Sequence, residues 1–164
     1  MGKSSLKLWI AASLLFVMAA TMAVYKVWPL LHPEVVHLAP LDPNCDLRAG
    51  PCTGVLPGGG RITFGIKPDT IPLIETLELD VRVDGIKASS AEIDFVGVDM
   101  NMGFNRPKLS AAGEGRFSGQ GVLPVCVRKA MEWEARVLVK TNEGLVAAPF
   151  RFITVNPDAT FPGK

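Results

Sequence analysis

The sequence predicts an all-β fold, an immunoglobulin-like or cupredoxin-like β-sandwich of about seven strands, behind one N-terminal transmembrane helix. Three observations predict it. An uncharged apolar stretch opens the chain, short runs of alternating apolar and polar residues follow from Cys52 onward, and turn residues separate those runs. The sixteen glycines and thirteen prolines fall largely between the apolar runs, as turns do in a β protein.

The helix comes first. Leu8 to Tyr25 is eighteen residues without a charge. At a rise of ~1.5 Å per residue it spans about 27 Å, just short of a hydrocarbon core of about 30 Å. Snorkelling of Lys26 extends the span to Trp28. Trp9, Tyr25 and Trp28 sit near the ends, where amphipathic rings prefer the interface. Lys3 and Lys7 precede the stretch and only Lys26 closely follows it. The positive-inside bias therefore leaves the N-terminus in the cytoplasm and exports what lies beyond Trp28. The expected setting is a bacterial inner membrane, crossed once by Leu8–Trp28, with the C-terminal domain in the periplasm. A cleaved signal peptide is the alternative. Against it, the apolar run is longer than a usual signal core, and Thr21-Met22-Ala23 is a poor cleavage site.

Residues 1–28 thus form the cytoplasmic N-terminus and anchor, and residues 29–44 read as a proline-rich periplasmic tether. The β domain is expected over 45–157, with 158–164 as a tail. Cys45 and Cys52 enclose a short loop containing Gly50-Pro51. In an oxidising compartment a structural disulfide is the default for such a pair. A redox pair is the competing reading, but it ordinarily has C-x-x-C spacing at a helix N-terminus.

The strands follow from alternation. Ile62, Phe64 and Ile66 share one face, as do Leu77, Leu79, Val81 and Val83. Ile93 and Phe95 form the next set, then Phe117, Leu123 and Val125 within Gly115 to Val127. Met131, Trp133, Ala135, Val137 and Val139 follow, and Val146, Ala148, Phe150 and Phe152 close the series. Turns are expected at Pro57–Gly60, at Asp84-Gly85 and at Thr141–Gly144. Apolar parity switches at Gly97, from Ile93 and Phe95 to Val98, Met100 and Met102, which predicts a β-bulge there.

Function is bounded first by what is missing. The net charge is +1 with no dense basic stretch, so a nucleic-acid partner has no electrostatic footprint. Both histidines, His32 and His37, fall in the expected tether. That leaves the expected domain without histidine for triad catalysis or for His-based zinc or copper sites. Gly58-Gly59-Gly60 lacks the lysine of a phosphate loop. Asp94 and Asp99 resemble paired carboxylates only superficially and are explained as solvated strand charges. No enzyme is expected.

One constellation remains. Met100-Asn101-Met102 places two thioethers on one side of a predicted strand, Cys126 is the odd cysteine, and Met131 follows it closely. Thioether and thiolate sulfurs select Cu(I) over harder cations. Met100, Met102, Cys126 and Met131 are therefore the expected metal ligands, with copper(I) the only cofactor. The competing reading is packing, because methionine fills irregular cores and free cysteine behaves as a small hydrophobe.

The segments Asp99-Met100-Asn101-Met102-Gly103, Gly113-Glu114-Gly115-Arg116-Phe117 and Met131-Glu132-Trp133 resemble the YtkA-like and FixH-like exported domains, over about Val96 to Val139. Those domains carry a methionine-containing strand, a G-x-Y/F step and a Met-Gly-Trp strand before a valine-rich run. Glu132 stands where that pattern often has glycine. The resemblance implies an immunoglobulin-like sandwich behind an anchor, and a link to copper handling or haem–copper oxidase assembly. A membrane oxidase, a copper chaperone or a metal pump would then be the partner. Met100, Met102 and Met131 match methionine positions of the pattern; Cys45, Cys52 and Cys126 lie outside it. The rival expectation is a metal-free β-sandwich that docks on a membrane complex.

Overall fold

The computed structural model describes residues 3–31, 35–125 and 128–156. The chain divides into two compact units, Met1–Glu34 and Val35–Lys164.

The first unit holds one helix, α1, Lys3–Leu31. Within it Trp9–Trp28 is a 20-residue span of mean hydropathy 1.9, long and apolar enough to cross a membrane. At ~1.5 Å per residue that span covers about 30 Å, the thickness of a hydrocarbon core.

The second unit is all-β. Its strands are β1 (Val35–Leu38), β2 (Cys52–Val55), β3 (Arg61–Lys67), β4 (Thr76–Asp84), β5 (Ala88–Gly97), β6 (Lys108–Ala111), β7 (Arg116–Val122), β8 (Ala130–Thr141) and β9 (Leu145–Val155). Their order in the sheet is β1-β9-β8-β5-β6-β7-β4-β3-β2. β6 makes the corner. Leu109 and Lys108 pair with Ala91 and Glu92 of β5, whereas Ser110 and Ala111 pair with Ser118 and Phe117 of β7. One continuous sheet is thereby curled into two layers. They approach closely where β2 faces β9: a Cβ on Gly54 would lie 3.1 Å from that of Ala148.

The alternating sets point inward as expected. Ile62, Phe64, Leu77, Leu79, Val81, Ile93, Phe95, Met131, Trp133, Ala135, Val137, Val146, Ala148 and Phe150 are all buried. Phe64 and Phe150 meet at 5.5 Å between ring centroids, and Phe95 and Phe152 at 6.4 Å edge to face. Each large apolar side chain so enclosed contributes about 1.5–3 kcal/mol. Phe117 and Leu123 are buried too, but Val125 is exposed, because β7 ends at Val122 and the alternation no longer applies.

Four expectations need correction. Nine strands are described rather than about seven. The two extra ones, β1 and β6, have four residues each and are held by backbone pairing, which leaves little side-chain pattern to read. The segment 29–44 is not all tether. Val35, His37 and Leu38 pair in parallel with Leu145, Val146 and Ala147, and the Ala39 N–H donates to the Ala147 carbonyl at 2.8 Å. The β domain therefore begins at Val35, ahead of Cys45, and His37 belongs to it. Gly97 is no bulge either. β5 stops there, and its one register shift lies between Ala88 and Ser90. Met100 and Met102 consequently lie in a loop and not on a strand. The expected tail, 158–164, lies outside the described residues.

Cys45 and Cys52 are joined, with Cα atoms 5.7 Å apart. Closing so small a loop is worth roughly 2.5 kcal/mol by chain entropy. The loop is anchored at both levels: Leu47 is buried in the core, and the Arg48 guanidinium donates to the Ile153 carbonyl.

The outer face of β8 and β9 carries an ion-pair ladder. Glu134 accepts from Arg136 at 2.6 Å and from Arg151 at 3.1 Å, and Arg151 also reaches Glu132 at 3.4 Å. Burial, the largest single influence, would raise the Glu134 pKa. The hydrogen bonds and charges of Arg136 and Arg151 together outweigh it and hold the carboxyl below its ordinary value of 4.5. A depressed folded pKa contributes stability that is complete above the unfolded value and is lost as pH falls through the folded one. Denaturant melts at falling pH should therefore show the wild type losing more stability below about pH 4.5 than Glu134→Gln does. Parallel losses in the two proteins would refute this account of the ladder.

Candidate metal site at the methionine corner

Gly97 is the last residue of β5 and pairs with Trp133 of β8. The Val98 N–H still donates to the Glu132 carbonyl at 3.0 Å. The chain then leaves the sheet. Asn101 turns it locally, its Oδ1 accepting from the Gly103 N–H at 2.8 Å, and Gly103 takes φ 81°, which suits glycine. The return is tied down at Asn105 and Pro107, whose carbonyls accept from the Phe95 and Ile93 N–H groups at 3.0 and 3.1 Å. Asn105 Nδ2 also donates to the Val122 carbonyl at 2.9 Å. The M-x-M pair thus sits in a short excursion fastened at both ends.

Across from it, Met131 is 2 % exposed on the inward face of β8. The Met131 methyl and the Met100 carbonyl oxygen both come closer to Gly97 than any side-chain Cβ would tolerate, and Met102 Cγ would lie 3.1 Å from such a Cβ. Met102 and Met131 therefore both stand over the bare backbone of Gly97. Met102 is half-buried against the core, and Met100 is 36 % exposed. Asp99 on the excursion pairs with Arg128 at 3.2 Å, which binds the loop to the segment leading into β8.

The four expected ligands fare differently. The structure brings Met102 and Met131 together and keeps Met100 in the same loop. Cys126 lies outside the described residues. The carboxylates dismissed as catalytic are ion-paired, Asp94 with Arg106 at 2.8 Å and Asp99 with Arg128. Among the described residues no three His, Cys, Asp or Glu side chains gather as a metal would need. The methionine thioethers at this corner are soft donors of the kind that suits Cu(I).

His37, misplaced in the tether by sequence, is half-buried at the other end of the sandwich. It lines a polar cavity of about 410 Å³ among the turns Pro57–Gly60, Gly85–Lys87 and Thr141–Glu143. The length of β8 separates it from Met131, so it is no ligand partner for the methionines. Sequence reasoning missed Arg106 altogether. The spacing of Asp94 from Arg106 carries no recognisable motif, although a proline directly after an arginine at a strand start was a legible sign of constraint.

Comparison with protein-family models, with curated proteins and with solved structures returned no match for this chain.

Proposed function

We propose that this chain is a membrane-anchored accessory protein that binds or passes Cu(I) through the methionine corner. The observation that carries the reading is that Met102 and Met131 both stand over Gly97, with Met100 on the same loop. Soft sulfur donors grouped at one end of a rigid sandwich suit a soft monovalent cation. Cys126 adds a thiol ligand in this reading. The Cys45–Cys52 disulfide accords with an oxidising compartment, and the lysine bias around the helix accords with a cytoplasmic N-terminus and a periplasmic β domain. The resemblance of Val96 to Val139 to YtkA-like and FixH-like domains points the same way. An oxidase, a copper chaperone or a metal pump in the same membrane is the proposed partner, with anchoring raising its local concentration.

Anaerobic Cu(I) titration of the detergent-solubilised chain tests this. The double variant Met100→Leu, Met102→Leu keeps apolar volume and removes two thioethers. Its affinity should fall at least tenfold, about 1.4 kcal/mol. Equal affinity in variant and wild type would remove the methionines from the site.

A metal-free docking module is the second reading. It is favoured by the exposure of Ile74 (69 %) and Phe104 (72 %), with Val122 also exposed. Ile74 is held at φ 64°, a costly conformation for a β-branched residue, and donates to the Leu123 carbonyl at 2.9 Å. Absence of any Cu(I) binding in the titration would leave this reading in place.

A further inference from the structure

Arg106 has a setting unlike that of the other arginines. Its side chain is only 11 % exposed. One Nη donates to Asp94 at 2.8 Å and the other lies 3.7 Å from Glu92. Its guanidinium carbon stands 5.1 Å from the Phe104 ring centroid. Nε is buried without a hydrogen bond among the described residues, so the two Nη groups carry the grip. Asp94 and Glu92 belong to β5, the strand whose end Gly97 forms, and Phe104 closes the excursion that bears Met100 and Met102. One half-buried cation thus ties the far end of the methionine loop to β5, the strand whose last residue is Gly97.

We infer that Arg106 is the positioning residue of the methionine corner. It fixes where the loop rejoins β5, and so where Met102 stands over Gly97. A planar guanidinium, hydrogen-bonded to Asp94, ion-paired with Glu92 and lying over the Phe104 ring, holds direction as well as charge, which lysine does not do. Partners that orient metal ligands without binding the metal commonly change affinity by roughly ten- to a hundredfold when removed. The inference rests on the copper reading for its functional consequence, but the placement of the loop stands apart from it.

The test uses the full chain in detergent, with methyl-labelled methionine and no metal. In Arg106→Gln the Met102 methyl resonance should move, and in Arg106→Lys it should move nearly as far. Cu(I) affinity in Arg106→Gln should fall roughly tenfold or more. Adding Met102→Leu should then cost little further, because both changes act through one ligand; a general loss of stability would instead give additive effects. Phe104→Ala removes an exposed ring and leaves the core intact. It should shift the same resonance and covers the case in which Arg106→Gln does not fold. An unmoved Met102 resonance overturns the inference whatever copper does. A wild type that binds no Cu(I), with the resonance moving as expected, sinks the copper reading and leaves the loop clamp standing.

Discussion

Gly97→Ala should disrupt the methionine corner more than any other single-carbon change. The added Cβ would collide with the Met131 methyl and the Met100 carbonyl oxygen and press on Met102. The thioether end can swing away at little cost; the carbonyl cannot move without its loop. Gly97 itself lies outside the positive-φ glycines, so alanine is acceptable to its backbone and the penalty is one of contact alone. Overpacking of this kind costs about 1–3 kcal/mol, and displacing a fastened loop places this case toward the upper end. Thermal or urea unfolding of the solubilised chain should show that loss, and Cu(I) affinity should fall with it. A midpoint equal to the wild type, with unchanged methionine methyl spectra, would mean that the loop does not crowd Gly97.

Trp133→Ala should come close to unfolding the β domain. Trp133 is fully buried on β8, and its Nε1–H donates to the Thr154 hydroxyl at 2.9 Å. Thr154 is the one buried polar side chain among the described residues. Truncating a buried tryptophan costs about 3–5 kcal/mol through lost transfer energy and the cavity left behind. The orphaned hydroxyl adds about 1–3 kcal/mol. Against a typical net stability of about 5–15 kcal/mol, that removes a large share. Trp133→Phe separates the two contributions, since it keeps most of the ring and removes the donor. Denaturant curves should place Phe between wild type and Ala. If Phe matched the wild type, the Thr154 bond would contribute nothing measurable.

The inward sets of β3, β4, β5, β8 and β9 were legible because alternation is a local signal. Side chains two apart share a face whatever the strand pairs with. Hydropathy likewise marked the helix, and short spacing marked the Cys45–Cys52 pair. The same signal failed at Gly97. A parity switch reads alike for a bulge and for a strand that simply ends, and the Met100 carbonyl folding back over Gly97 is a matter of loop path. β1 and β6 were invisible for a related reason. An edge strand and a corner strand are held by backbone N–H and C=O groups that every residue carries, so Val35–Leu38 and Lys108–Ala111 show no distinguishing side-chain pattern.

By itself the sequence determined an apolar helix, an all-β domain and its main inward faces. The tertiary structure decided which of the methionines stand together at Gly97, that the half-buried Arg106 pairs with Asp94 and lies against Phe104, and that His37 belongs to the sheet. The division has one physical cause. Periodicity and composition are properties of neighbouring residues. Met102 and Met131 stand together at Gly97 only because β5 stops where it does and pairs with β8 in one register, and that long-range pairing leaves little mark on either segment alone.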